Sequence, residues 1–188
     1  TIILTLLCSC SDYLDIVPDN VTTLDIVFNN RNTAERYLAN CYHFVPDHGS
    51  VKRIPGMGAG HECWFYTTND SHFDNEVSFY IARGLQNIDA PYANYWDGEG
   101  GSNLPMFRAI RECNIFLDYV RDQHKVNDLT DSERKRWIAE VNVLKAYYHF
   151  FLFEHYGPIP IVDKALPVST DPEGVKVTRM PVDQIVDY

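Results

Sequence analysis

Long basic runs are missing from this chain. The longest is Arg134-Lys135-Arg136, and 26 acidic residues outweigh 16 basic ones, leaving a net charge of −10 over 188 residues. That argues against a nucleic-acid partner, because phosphate neutralisation needs a face of Lys and Arg. Cysteine is scarce: there are five, with no C-x-x-C spacing. Cys8 and Cys10 fall in the opening segment, which leaves Cys41, Cys63 and Cys113, an odd number that makes no disulfide framework. Cys41 and Cys113 lie on apolar helical faces and read as buried thiols. Metal signatures are incomplete. His61-Glu62 has no second histidine at the H-E-x-x-H spacing, and Asp70-x-His72-x-Asp74 lacks the glycine and closing glutamate of a calcium hand. No cofactor is expected, apart from a calcium ion that the Asp97-Gly98-Glu99 loop could hold.

No apolar run reaches the roughly 20 residues needed to cross a bilayer. The opening Ile2-Ile3-Leu4-Thr5-Leu6-Leu7 has instead the length of the end of a signal-peptide apolar region, without its Met or its basic start. Leu7-Cys8-Ser9-Cys10 resembles a bacterial lipobox. Leucine stands three before Cys10, small residues precede the cut, and the Cys10 thiol would take the lipid. Cys8 is the weaker acceptor, since Thr5 occupies the leucine position. Several acyl chains then give stable anchoring. The expected organisation is a signal-peptide remnant over 1–9, a lipid-anchored tether over 10–32, and a helical domain over 33–188 that stops short of its full extent.

The chain is expected to be mostly α-helical. A helix is predicted over Thr33–Val45, capped by Asn32 with Glu35 as reciprocal partner. Residues 46–103 are rich in Gly and Pro and read as loop, with a short helix near Glu76–Arg83. A second helix is predicted over Leu104–His124, with Pro105 in its first turn. A third runs over Asp131–Tyr156, opened by the capping box Thr130-Asp131-Ser132-Glu133 and stopped by Gly157 and Pro158. Apolar residues surround this helix from Ala146 onward, so burial on most sides is expected, with His149 and His155 as hydrogen-bonded core residues. Asn114, on an apolar face, is expected to satisfy backbone groups. The two long helices form an antiparallel hairpin, and hairpins in series suggest a tetratricopeptide-like scaffold. A last helix begins at Met180-Pro181 and should leave apolar surface exposed at that end.

Four motifs together resemble the SusD/RagB family. Cys10-Ser11-Asp12-Tyr13-Leu14-Asp15 is similar to its post-lipobox C-x-D-[YF]-L-D. Phe107 to Leu117 is similar to Y-x-x-I-x-x-x-N-x-[FL]-L, and Ala139 to Phe150 to A-E-x-x-x-L-R-A-x-x-Y-F. Tyr156-Gly157-Pro158-Ile159-Pro160 is similar to Y-G-D-V-P, with Pro158 where the family has an acidic or polar residue. The resemblance implies a glycan- or nutrient-binding lipoprotein on the extracellular face of a Gram-negative outer membrane. It would be a non-catalytic lid that passes oligosaccharide to a SusC-like TonB-dependent barrel. The rival readings are a surface glycoside hydrolase, which needs two carboxylates across a cleft, and a purely structural lipoprotein.

Sugars are held by aromatic faces and planar polar side chains. His61–Glu99 carries 9 of the chain's 25 aromatics in 39 residues, more than its share by length. The candidate ligand residues are Trp96, Tyr95, Asn94, Trp64, Tyr66 and Asp70. The competing role for each ring is to pack the loops onto the helices.

Overall fold

The computed structural model describes residues 23–50, 56, 58–60, 77–89, 91–98, 104–167 and 172–188. Among these the regular structure is entirely helical: α1 (Leu24–Val27), α2 (Arg31–Tyr42), α3 (Val77–Ala82), α4 (Met106–Arg121), α5 (Asp131–Tyr156), a 3-10 turn (Pro172–Val175) and α6 (Val182–Val186). No described helix is long and apolar enough to cross a membrane.

The core is the antiparallel α4–α5 hairpin with α2 laid across it. Ala109, Ile110, Cys113, Phe116, Leu117 and Val120 recur every three or four residues on α4, and all are buried. They meet Trp137, Val141, Leu144, Tyr148, Phe151 and Leu152 of α5, while α2 adds Ala34, Leu38 and Cys41. Each large apolar side chain buried there contributes about 1.5–3 kcal/mol. Polar contacts fix the docking of α2. Tyr148 donates to the Cys41 carbonyl at 2.5 Å, and Tyr37 donates to Glu112 at 2.5 Å. Cys41 and Cys113 are free and buried, as their apolar faces predict.

Helix α5 has the predicted bounds, and its capping box is formed in both directions between Thr130 and Glu133. Gly157 ends it at φ +67°, a conformation that side-chain-bearing residues resist. Other expectations need correction. Helix α2 begins two residues early and is capped by Asn30, not Asn32, through Thr33 N–H at 3.1 Å. Tertiary partners explain the early start. Arg31 N–H donates to Asp128 at 2.7 Å, and its guanidinium bridges Glu35 and Glu133. Its end at Tyr42 leaves Phe44 and Pro46 free to fold into the interior. In α4, Pro105 is the N-cap rather than a first-turn residue. Residues 23–32, expected as extended tether, hold α1 and the start of α2. Phe28 is fully buried there, stacked on Tyr119 at 4.5 Å and packed on Tyr37 and Phe116.

The second half of α5 is less enclosed than its composition suggests. Phe150 is 53% exposed, and Val143, just before it, is 69% exposed. His155 is also exposed, its Nδ1 bonded to the Phe151 carbonyl at 2.8 Å. At the C-terminal end α6 buries only Ile185 and leaves Val182 and Val186 at the surface, in line with the expected apolar exposure.

The turn between α4 and α5 is built around one buried cation. Arg134 donates to the carbonyls of Val120 at 2.6 Å, Asp122 at 3.2 Å, and Lys125 and Val126 at 3.1 Å each. One guanidinium fork thus satisfies the orphan carbonyls at the C-terminus of α4 and the loop beyond it. It also holds Val126 at φ 51°, a costly conformation for a β-branched residue.

Candidate functional site

Two irregular segments meet at the α4 N-terminus and the α5 C-terminus: residues 91–98 and 158–167. The first is fixed by backbone and side-chain bonds to both helices. Met106 N–H donates to the Tyr95 carbonyl at 2.9 Å and Phe107 N–H to the Trp96 carbonyl at 3.4 Å. Tyr156 Oη accepts from Tyr95 N–H at 2.8 Å and donates to the Ala93 carbonyl at 3.5 Å. Gln86 Oε1 accepts from the N–H groups of Tyr92 and Ala93. Gly98 closes the segment at φ +81°, where an added Cβ would lie 2.8 Å from Pro105. Glycine is required there on both conformation and space.

The second segment lies along the groove between α4 and α5 and borrows its hydrogen bonds from them. Asn114 Nδ2 donates to the Val162 carbonyl at 2.9 Å, as its place on an apolar face suggested, while its buried Oδ1 has no partner among the described residues. Val162 N–H donates to His149 Nε2 at 3.3 Å. His149 Nδ1 in turn donates to the Lys145 carbonyl at 2.8 Å, which sets the neutral tautomer. Burial pushes the pKa of this imidazole down to about 4. Lys145 bonds both the carbonyl and the carboxylate of Asp163, and this hydrogen bond holds the Asp163 carboxyl below its usual range.

Between the segments lies an open cavity of about 230 Å³. Trp96, Phe107, Val162 and Leu166 supply its apolar wall, and Arg111 and Lys164 its polar groups. The half-buried Trp96 meets Phe107 edge-on at 4.6 Å and Tyr156 at 5.5 Å. The Arg179 guanidinium sits over the Trp96 ring at 5.0 Å while Nη1 bonds the Pro158 carbonyl at 2.9 Å. Arg111 donates to the Leu166 carbonyl.

The predicted site residues divide. Trp96 lines the cavity. Asn94 stands beside it in a structural role: Oδ1 accepts from Trp96 N–H at 3.1 Å and Nδ2 donates to Asp97 at 2.5 Å. Tyr95 is a core ring, 1% exposed and packed on Phe151 and His155. Its expected ligand role is corrected on that ground, since burial leaves no face for a ligand and raises the phenol pKa. Cys10, Trp64, Tyr66, Asp70 and Glu99 lie outside the described residues. Among the described residues no group of three or more His, Cys, Asp or Glu is placed to hold a metal ion. Reading the sequence missed Arg111, Lys164 and Arg179, which come from three separate stretches. It also missed the Tyr80–Tyr92 stack at 4.2 Å and 13°.

Comparison with protein families decides the identity. Residues 12–188 match a SusD-like family described as starch-binding and associating with the outer membrane. The chain belongs to this SusD-like family. The match runs through α1 to α6 and through both segments around Trp96, and the all-helical architecture agrees with it. No curated protein matches the chain.

Proposed function

We propose that this SusD-like protein is a non-catalytic surface lipoprotein, anchored through Cys10 on the extracellular face of the outer membrane. It captures an oligosaccharide and hands it to a SusC-like TonB-dependent barrel. The observation that carries the reading is the family match over residues 12–188, with its starch-binding, outer-membrane description. The cavity supports the binding part. Trp96 offers an aromatic surface of the kind that packs against sugar C–H groups, beside cationic donors for hydroxyl or acidic substituents. Trp64, Tyr66, Asp70 and Asn94 remain proposed ligand contacts in the same aromatic-rich stretch, and Asp97-Gly98-Glu99 a proposed calcium loop.

A glycoside hydrolase would need two carboxylates facing each other across the bound sugar. Among the described residues none lines the Trp96 cavity, and Asp97 nearby is bonded to Asn94. That favours binding over turnover.

The test is a detergent pull-down of the tagged full-length protein from native outer membranes, run beside a Cys10→Ala variant. Co-purification of a large TonB-dependent barrel, lost in the variant, is the expected result. Recovery of the protein alone, unlipidated, would overturn the anchor and the uptake role. Release of reducing ends from a glycan panel would overturn the non-catalytic assignment.

A further inference from the structure

Three cations gather around the Trp96 cavity: Arg111 and Lys164 on its wall and Arg179 over the indole. Arg31, Arg108, Lys125, Arg136, Lys145 and Lys176 each face a carboxylate within 4.0 Å. Arg111, Lys164 and Arg179 have no such partner among the described residues; nor do Arg36, Arg83, Arg121, Arg134 and Lys135, none of which lines this cavity, so what sets the three apart is their grouping. Arg111 and Arg179 spend one bond each on a main-chain carbonyl, of Leu166 and Pro158, and have further N–H groups that bond no other side chain among the described residues. Lys164 stands exposed on the cavity wall. Three uncompensated positive charges are thus gathered at one apolar, aromatic hollow in a protein of net charge −10. The neighbouring acid, Asp163, is already held by Lys145 and Tyr188.

A neutral glucan leaves these charges unanswered. A ligand that does answer them needs a C–H face for Trp96 and Phe107 and an anion for the guanidinium and ammonium groups, which form their strongest hydrogen bonds to carboxylates. We infer that the cavity receives a uronic-acid residue, its pyranose ring against Trp96 and its carboxylate between Lys164 and Arg111. The inference rests on the glycan-binding reading and narrows it to acidic oligosaccharides. The volume of about 230 Å³ suits one sugar ring, with the rest of the chain passing out through the open side.

Isothermal titration with three probes tests it: an oligogalacturonate, the same oligomer fully methyl-esterified, and maltoheptaose. The acid is expected to bind at least tenfold tighter than its ester, with the gap closing as salt rises. Lys164→Gln, at an exposed side chain that supports no packing, is expected to remove most of the gap and leave the circular-dichroism melt unchanged. Equal binding of acid and ester, or a gap untouched by Lys164→Gln, overturns the inference. Binding of maltoheptaose without the oligogalacturonate also overturns it and leaves the proposed function standing. Binding of none of the three overturns the inference, while the proposed function is decided by the pull-down.

Discussion

Between α4 and α5 the packed contacts are mostly apolar: Phe116 meets Trp137, and Ile110 and Leu117 are buried with Leu144 and Leu152. Along residues 122–126 and 158–163 they are polar, and the partners are Arg134, Asn114, His149 and Lys145. The difference follows from the backbone. A helix satisfies its own N–H and C=O groups and needs only a stripe of hydrophobic side chains to dock. An irregular segment brought against a core has unmet groups, and something else must meet them. Here the helices do so with polar side chains placed among their buried faces. Asn114, Arg134, Lys145 and His149, buried on α4 and α5, therefore each mark where an irregular segment lies.

Removing a receptor for loop backbone should then cost as much as removing a core side chain. The largest effect is expected from Arg134→Ala, which strips four carbonyls of their donor. A loss of about 3–4 kcal/mol is expected in urea unfolding, with Arg134→Lys recovering only part of it because an ammonium cannot reproduce the fork. An effect under about 1 kcal/mol would mean that water serves those carbonyls equally well.

His149 sharpens the comparison through pH. Its pKa is about 4 in the folded chain and about 6.5 when exposed, so the unfolded chain binds the extra proton between those values. Stability should be unaffected by this group above pH 6.5. It should fall by about 3 kcal/mol as pH drops to 4, and then level off as far as this group is concerned. A His149→Gln variant should show a flatter profile over that window in parallel thermal melts.

Gly98→Ala is the smallest of the three. The methyl would meet Pro105 at 2.8 Å in a left-handed conformation, at a cost of about 1–3 kcal/mol. Because Gly98 follows Trp96, the indole should move as well, read as a change in tryptophan fluorescence with the helix content intact. Unchanged fluorescence would show that the bonds of the 91–98 segment to Gln86, Met106, Phe107 and Tyr156 hold it without the Gly98 turn.

The same division explains what could be read from the chain. The capping box at Thr130, the bounds of α5, the buried thiols and the helical hairpin were legible because helices announce themselves by spacing and by terminal residues. The family resemblance was legible on motifs that sit on α4, on α5 and on the Gly157 stop. Asn114 was legible because an amide on an apolar stripe needs a partner. The burial of Phe28 and Tyr95 was not. Both lie in irregular or very short segments, where no period separates an inward ring from an outward one. Nor was the grouping of Arg111, Lys164 and Arg179, whose proximity depends on how residues 158–167 and 176–181 return to the end of α5. The early start of α2 depended on Asp128 and Glu133, about a hundred positions away.

Helix α5, 26 residues and roughly 39 Å long, keeps two ends far apart. At one end Phe28 is wedged beside the Arg134 turn, with Val126 N–H bonded to its carbonyl. At the other end Trp96 leans on Tyr156. A pull on the polypeptide ahead of Thr23 is therefore borne by the Phe28 wedge and the rigid rod behind it. The hollow at the other end of the rod would keep its form under such a load.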